Sequence, residues 1–351
     1  MDRKRIFLFL GGAGLLAAAL VLVPLIAADI QYLRGVRAVR AMAATEDPAR
    51  AAALYDRAER AFRSALWFDD DNPGYYRELG DLYRRAAYAE MQAYMRTHAV
   101  VTGIRVQPAV PIEAVQDGAV IGPRIPVTER TPQEVRQTIR TGRDTADGVR
   151  EETVVNAPPY PGSSRGLEKQ AVAAYREGIR LNPLDARLYH GLADMLQYGG
   201  DPAIVEQAFQ RAVALDPQNP NIRVSLAGFL LRRDRREEAV HEMRTAVAIL
   251  PASAAKAFTD WLAAGGRTDE LLPIAGVSPT ALGALGGFWD GRREPRRAGD
   301  ACLAACQAIG GRTDDEPQET PLADLKPRLL EQLTRLGLIK ERDYFAGLWS
   351  K

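Results

Sequence analysis

The stretch Pro73–Arg85, PGYYRELGDLYRR, decides the fold. Tyr76, Leu79, Gly80 and Tyr83 fall three, one and three residues apart, which lays an aromatic, a leucine, a glycine and a second aromatic along one helical stripe. A helix with this stripe has an apolar face to bury against a partner helix. The residues that follow in the same helix, Gln92 and Arg96 among them, supply no matching stripe.

Comparing the chain with itself finds the missing half. Pro183, Pro217 and Pro251 are spaced by 34 residues, and so are Tyr175, Phe209 and Met243, and Gly178, Ala212 and Ala246. Three columns with one period mark stacked helical hairpins: the small residues let two helices approach, the large ones fill the gap, and proline opens the next helix. Tyr189, Leu192, Ala193 and Leu196, followed by Val205, Phe209 and Ala212, make one complete unit; Leu226, Ala227 and Leu230, followed by Ala239, Met243 and Ala246, make another, with Arg223 in place of its first aromatic. These residues resemble the tetratricopeptide repeat. The segment EKQAVAAYREGIRLNP carries Ala171, Tyr175, Gly178 and Pro183, a second helix with no first helix directly before it. Residues 73–183 are therefore expected to be one repeat, split by an insertion at 99–167.

The resemblance implies an all-α, right-handed helical solenoid of about three to four hairpins with C-terminal capping helices. A worn first hairpin and the first helix of the split repeat occupy 30–98. Its second helix and two clear repeats occupy 168–265, and a cap and tail occupy 266–351. In the worn hairpin Ala58, Phe62 and Ala65 hold the packing columns, and TEDPAR at 45–50 signals a helix start with Thr45 or Asp47 as cap and Pro48 in the first turn. After Pro251 the pattern decays: AAKAFTDWLAAGG reads as a helix, Pro273 interrupts its partner, and residues 276–322 read as glycine-rich turns with a helix around GDACLAACQAI and an acidic loop. The tail reads as an amphipathic capping helix with Leu329, Leu333 and Leu336 on one stripe.

The insertion is built differently. Residues 99–167 hold eight prolines, seven glycines and a single aromatic, Tyr160, and eight arginines balance eight acids. That composition supports no independent aromatic core and no polybasic arm. AVVTGIRVQPAVPI and AVIGPRIPV read as extended, and TPQEVRQTIRTG as a short helix capped by Thr131. Two readings stand, an ordered ribbon lying on the scaffold or on a partner, and a solvated loop; the β-branched content favours the ribbon.

The N-terminus carries its own signal. Residues 1–5 form a basic stub, and Ile6–Ala28 is a run of 23 residues without a charge. A helix of that length reaches about 34 Å against a hydrocarbon core of about 30 Å. The run is too long for a signal-peptide core and lacks a small-x-small cleavage site, so 6–28 is expected to be an uncleaved transmembrane helix in contact with lipid. Arg3, Lys4 and Arg5 directly before it, against Arg34, Arg37 and Arg40 further behind, favour a single-pass inner-membrane topology with the N-terminus cytoplasmic and the body periplasmic. The segment from residue 30 should continue this helix into the first hairpin.

Composition excludes more than it assigns. A formal net charge of +1 with 26% charged residues points to no nucleic-acid partner. Three histidines and two cysteines are a thin stock for chemistry. Cys302 and Cys306, one turn apart, read as small core residues, and His241 beside Glu237 and Glu238 reads as part of a solvated face. No phosphate-binding glycine loop, nucleophile elbow, zinc-binding HExxH or paired CxxC is present, so no catalytic site, cofactor or metal is expected.

In the tetratricopeptide family the first helices line a concave surface that binds other proteins. Carried onto this chain, the groove would present Arg77, Asp81, Arg84 and Arg85, then His190, Asp194 and Gln197, then Val224, Leu231 and Arg232. The lysine and asparagine clamp of the chaperone-binding members is absent. Expected, then, is a non-enzymatic, membrane-anchored scaffold that binds proteins through this groove and the insertion, similar to bacterial single-span repeat proteins that assist envelope complexes. The alternative is a regulatory subunit whose insertion completes an envelope enzyme's site.

Overall fold

The computed structural model describes residues 3–98, 100–108, 139–144, 149–156, 162–197, 199–310 and 322–349. The chain divides into two compact units, one of residues 1–98 with 160–215, the other of 99–159 with 216–351. Most of the described helices pair as hairpins.

In the first unit three hairpins follow one another: α1 (Arg3–Ala43) with α2 (Pro48–Phe68), α3 (Pro73–His98) with α4 (Gly162–Leu181), and α5 (Ala186–Leu196) with α6 (Pro202–Leu215). Asp47 caps α2 by accepting from the Ala49 amide at 3.0 Å, with Pro48 opening the helix. Asp185 caps α5 in the same way through Arg187. The split repeat closes as the residue columns require. Tyr175 of α4 is fully buried, and a Cβ added at Gly80 of α3 would lie 2.8 Å from its ring. Gly191 of α5 faces the same ring from the other side, where a Cβ would lie 2.5 Å from Cε1. Gly35 of α1 does for Phe62 of α2 what Gly80 does for Tyr175. The second helix of the split repeat begins at Gly162, so Gly162–Leu167, expected within the insertion, are helical.

α1 is one continuous helix that pairs with α2 along its C-terminal part. Among the described residues no helix is long and apolar enough to cross a membrane. The expected span 6–28 falls mostly on residues 1–19, whose side chains lie outside the described ones. From Leu20 to Ile26 the described large apolar side chains are exposed; Ala28 is fully buried, while Ile30 and Leu33 after it are again exposed.

Among its described residues the insertion forms three strands, β1 (Val100–Pro108), β2 (Ile139–Asp144) and β3 (Val149–Asn156), with β3 in the middle and antiparallel to both neighbours. Val100 pairs with Asn156, so the start of β1 meets the end of β3. Residues 139–142 belong to β2 rather than to the short helix expected over 131–142: the β-branched and small residues pair with β3. The rest of that expected helix, with Thr131, and the segment 119–127 lie outside the described residues.

The other helices of the second unit are α7 (Pro220–Arg232), α8 (Arg236–Ile249), α9 (Ala254–Ala263), the five-residue α10 (Leu271–Ala275), α11 (Pro279–Gly291), α12 (Pro295–Gly310), α13 (Leu322–Arg335) and α14 (Ile339–Trp349). Arg223, standing where a first aromatic is expected, donates to Glu242 of α8 at 2.6 Å and to the Pro217 carbonyl, so an ion pair joins the hairpin there. Where glycine-rich turns were expected, α11 is a helix, capped by Ser278 and opened by Pro279. One of its glycines serves close packing: a Cβ at Gly286 would meet Cys302 Sγ at 2.5 Å. Cys302 and Cys306 are buried free thiols, and burial pushes their pKa values up to about 12 and about 11. The tail is two helices, broken at Gly337, whose φ of +75° suits a residue without Cβ. The acidic loop 313–321 lies outside the described residues.

The Tyr175 wedge makes opposite predictions for two kinds of glycine. Gly191→Ala should destabilise the first unit by about 1–3 kcal/mol through overpacking. Gly166→Ala, in α4 with nothing within 4 Å of the added methyl group, should be neutral or stabilising by up to about 1 kcal/mol. Thermal melting of both variants checks this, and equal effects would contradict the wedge.

Candidate functional site

The first-unit residues expected to line a groove are, except for Arg85, joined in one hydrogen-bonded neighbourhood. Asp81 of α3 accepts from the Tyr175 hydroxyl at 2.7 Å and from Arg84 at 3.0 Å. The same guanidinium donates its other terminal nitrogen to Asp194 of α5 at 2.7 Å. Gln197 then donates to the second Asp194 oxygen at 2.8 Å, and the Tyr88 hydroxyl donates to the Asp194 carbonyl at 3.2 Å. One turn nearer the start of α3, Arg77 donates to Asp185, the cap of α5, at 2.9 Å. Two arginines of the split repeat therefore clasp the first helix of the next repeat.

Sequence spacing explains the clasp. Arg77, Asp81 and Arg84 are four and three residues apart and share one face of α3, as His190, Asp194 and Gln197 do on α5. The small contacts at Gly80 and Gly191 bring the two helices close enough for these faces to meet. Arg84 shows 22% of its side chain to solvent and Asp194 14%, so the pair is largely shielded and depends on its geometry. Burial works against the Arg84 charge, but the neighbouring Tyr175, Asp81 and Asp194 outweigh it and raise its pKa further. Burial first, then the Asp81 charge, also raises the Tyr175 pKa and keeps its hydroxyl a donor. The Arg84 Nε is buried without a hydrogen-bond partner.

His190 sits half-buried beside this network with its ring 6.3 Å from that of Phe209. Burial lowers its pKa, helped by Arg84 and opposed by Asp194 and Asp81. Its neutral form therefore dominates near pH 7.

Of the other groove residues, Arg85 is exposed on α3, while Val224, Leu231 and Arg232 lie on α7 in the second unit. Leu231 is buried at 7% exposure and serves packing; Arg232 is exposed. Tyr88 and Asp185 also belong to the network but were not singled out by the sequence pattern. The aspartate could have been read as a helix cap; the Tyr88 contact depends on helix separation. Among the described residues no group of His, Cys, Asp and Glu is arranged to hold a metal ion.

No family model matches the chain. It is 38% identical over 97 residues to cellulose synthase operon protein C of Pseudomonas fluorescens, a stretch that is 28% of this chain and 7% of that protein. It is 28% identical over 79 residues to the type IV pilus assembly protein PilF of Pseudomonas aeruginosa, covering 22% of this chain and 31% of that one. The chain thus spans less than a third of the length of the curated relatives it matches. Among solved structures, a MamA protein aligns over 84% of this chain and 98% of its own at 13% identity, with a TM-score of 0.36.

Two outcomes follow from the network. Arg84→Met leaves Asp81 and Asp194 facing each other without their shared cation and should cost about 2 kcal/mol, read by urea unfolding. A loss below about 0.5 kcal/mol would mean the clasp is merely a solvated pair. For His190, the folded pKa lies below the unfolded value near 6.5, so the unfolded chain binds the proton more readily. Stability should be fully present above that value and fall as pH drops below it, and His190→Gln should remove that part of the slope. A variant that melts with the wild-type pH profile between pH 7 and 5 would contradict the assignment.

Proposed function

We propose that this chain is a non-enzymatic, membrane-anchored scaffold that binds other proteins outside the cytoplasm as an assembly factor or subunit of an envelope complex. The observation that carries the reading is the state of α1 before it meets α2. Leu20, Leu22, Val23, Leu25 and Ile26 are exposed by 42–69%; the first fully buried residue is Ala28, the last of the uncharged run, and beyond it Ile30 and Leu33 are exposed again by 45% and 50%. A contiguous apolar surface of this kind calls for an apolar surrounding, and a run of 23 residues has the length of a bilayer span. Because α1 passes without interruption into the first hairpin, the scaffold is rooted at the membrane rather than tethered.

The repeat groove supports protein binding. Arg85 and Arg232 are exposed on first helices, and the clasp around Arg84 holds the groove floor of the first unit in one shape before a partner arrives. Names given to the matched relatives, a type IV pilus assembly protein and a cellulose synthase operon protein, support an assembly role. The basic stub before the span supports a cytoplasmic N-terminus and a periplasmic body.

Protease added to intact spheroplasts should digest the body and leave a short anchored fragment; full protection until lysis would contradict the orientation. A photo-reactive amino acid at position 85 or 232 should crosslink a defined protein in the native membrane, while one at Glu237 on a second helix should not. Crosslinks found only from residues 99–161 would move the function to the insertion and favour a subunit that completes an enzyme's site.

A further inference from the structure

We infer that the α2 end of the first hairpin is itself a lipid contact, with Trp67 seated in the headgroup zone of the bilayer that α1 enters. This rests on the anchor reading above and adds a second point of attachment, which would hold the first unit against the membrane surface.

Ala28, Ala65 and Tyr75 form one buried cluster, flanked by Tyr32, Leu66 and Phe68. The last turn of α2 therefore lies beside α1 at Ala28, where the uncharged run ends. The first charge after the run, Asp29, accepts a hydrogen bond from the Tyr75 hydroxyl at 2.8 Å, so polar chemistry begins at this level. A span of about 34 Å centred in a hydrocarbon layer of about 30 Å puts its end roughly 2 Å beyond the hydrocarbon edge, among the headgroups.

Trp67, next in the chain to Leu66 and Phe68, is 79% exposed. Its ring meets that of Phe68 edge-on at 4.8 Å, which fixes the indole without covering it. Tryptophan is the side chain that gains most at this depth, with an apolar ring and a polar N–H facing two environments. Leu184, 69% exposed, lies at the same end of the hairpins, because Arg77 in the first turn of α3 is bonded to the neighbouring Asp185. The turn after Trp67 is Asp69, Asp70 and Asp71, so attraction to anionic lipid cannot hold this end down. The contact is apolar burial of an aromatic ring in zwitterionic headgroups.

The test uses the full chain in phosphatidylcholine vesicles. Trp67→Cys carries an environment-sensitive dye; Glu46→Cys, exposed at the opposite end of the α1–α2 hairpin, is the reference. Cys302 and Cys306 are buried and stay unlabelled in the folded chain. Flotation with vesicles after alkaline wash reports the anchor separately. The expected result is a blue-shifted dye at 67, quenched several-fold more than at 46 by lipids spin-labelled near the headgroup, and unchanged by salt. If the chain floats but the dye at 67 is as open to aqueous iodide as at 46, the contact is overturned and the anchor stands. If the chain does not float, both fall. Quenching that follows protein density instead of the lipid quencher would assign the indole to a second copy and overturn the inference.

Discussion

The first unit depends on one ring. Tyr175 stands on the second helix of a hairpin whose first helix ends at His98, and its side chain fills the space above Gly80 on one side and Gly191 on the other. Its hydroxyl reaches Asp81, which positions Arg84, which in turn holds Asp194 on the next hairpin. A single side chain thus closes the split repeat and sets the spacing at which its charges can meet the following repeat. Either glycine replaced by a larger residue would push the ring, and the clasp would lose its geometry.

That arrangement explains what could be read in the chain beforehand. The columns around Tyr175, Gly178, Phe209 and Ala212 are legible because close helix packing permits few residue types at those positions. The Gly35–Phe62 contact obeys the same rule, yet no period reveals it, since α1 and α2 are longer than the helices of the later repeats. Helix α11 was hidden for the opposite reason. Its glycines suggest turns by propensity, yet the segment is helical, opened by the Ser278 cap and Pro279, and at Gly286 the missing Cβ makes room for Cys302. Strand β2 takes residues 139–142 from the expected helix, since pairing with β3 depends on a second segment and not on the residues of β2 alone. The site was legible as a set of positions, not as a network: spacing puts Asp81, Arg84 and Asp194 on facing stripes, while the direction of their bonds depends on helix separation.

The same constraint bears on function. A groove whose central charges already hold one another is a poor candidate for proton transfer and a good one for a fixed surface. His190, kept neutral by burial, adds shape and a sensitivity to acid rather than a ready base. On the proposed reading, what remains for a partner are the exposed residues around this floor and the ribbon of strands between α3 and α4. On the same reading the membrane supplies the other fixed point, through the exposed apolar side chains described between Leu20 and Ile26 of α1.

The central claim is that α3 and α4 form one hairpin by their own contacts, with the insertion closing outside them. Loop length costs little once the ends are held, since closure entropy grows only logarithmically. The direct measurement is a thermal melt, followed by circular dichroism, of the chain with residues 99–161 replaced by a short glycine-serine loop. The account predicts a cooperative transition and helical signal close to those of the intact chain. Loss of the cooperative transition would show that the insertion, and not Tyr175, holds the split repeat together.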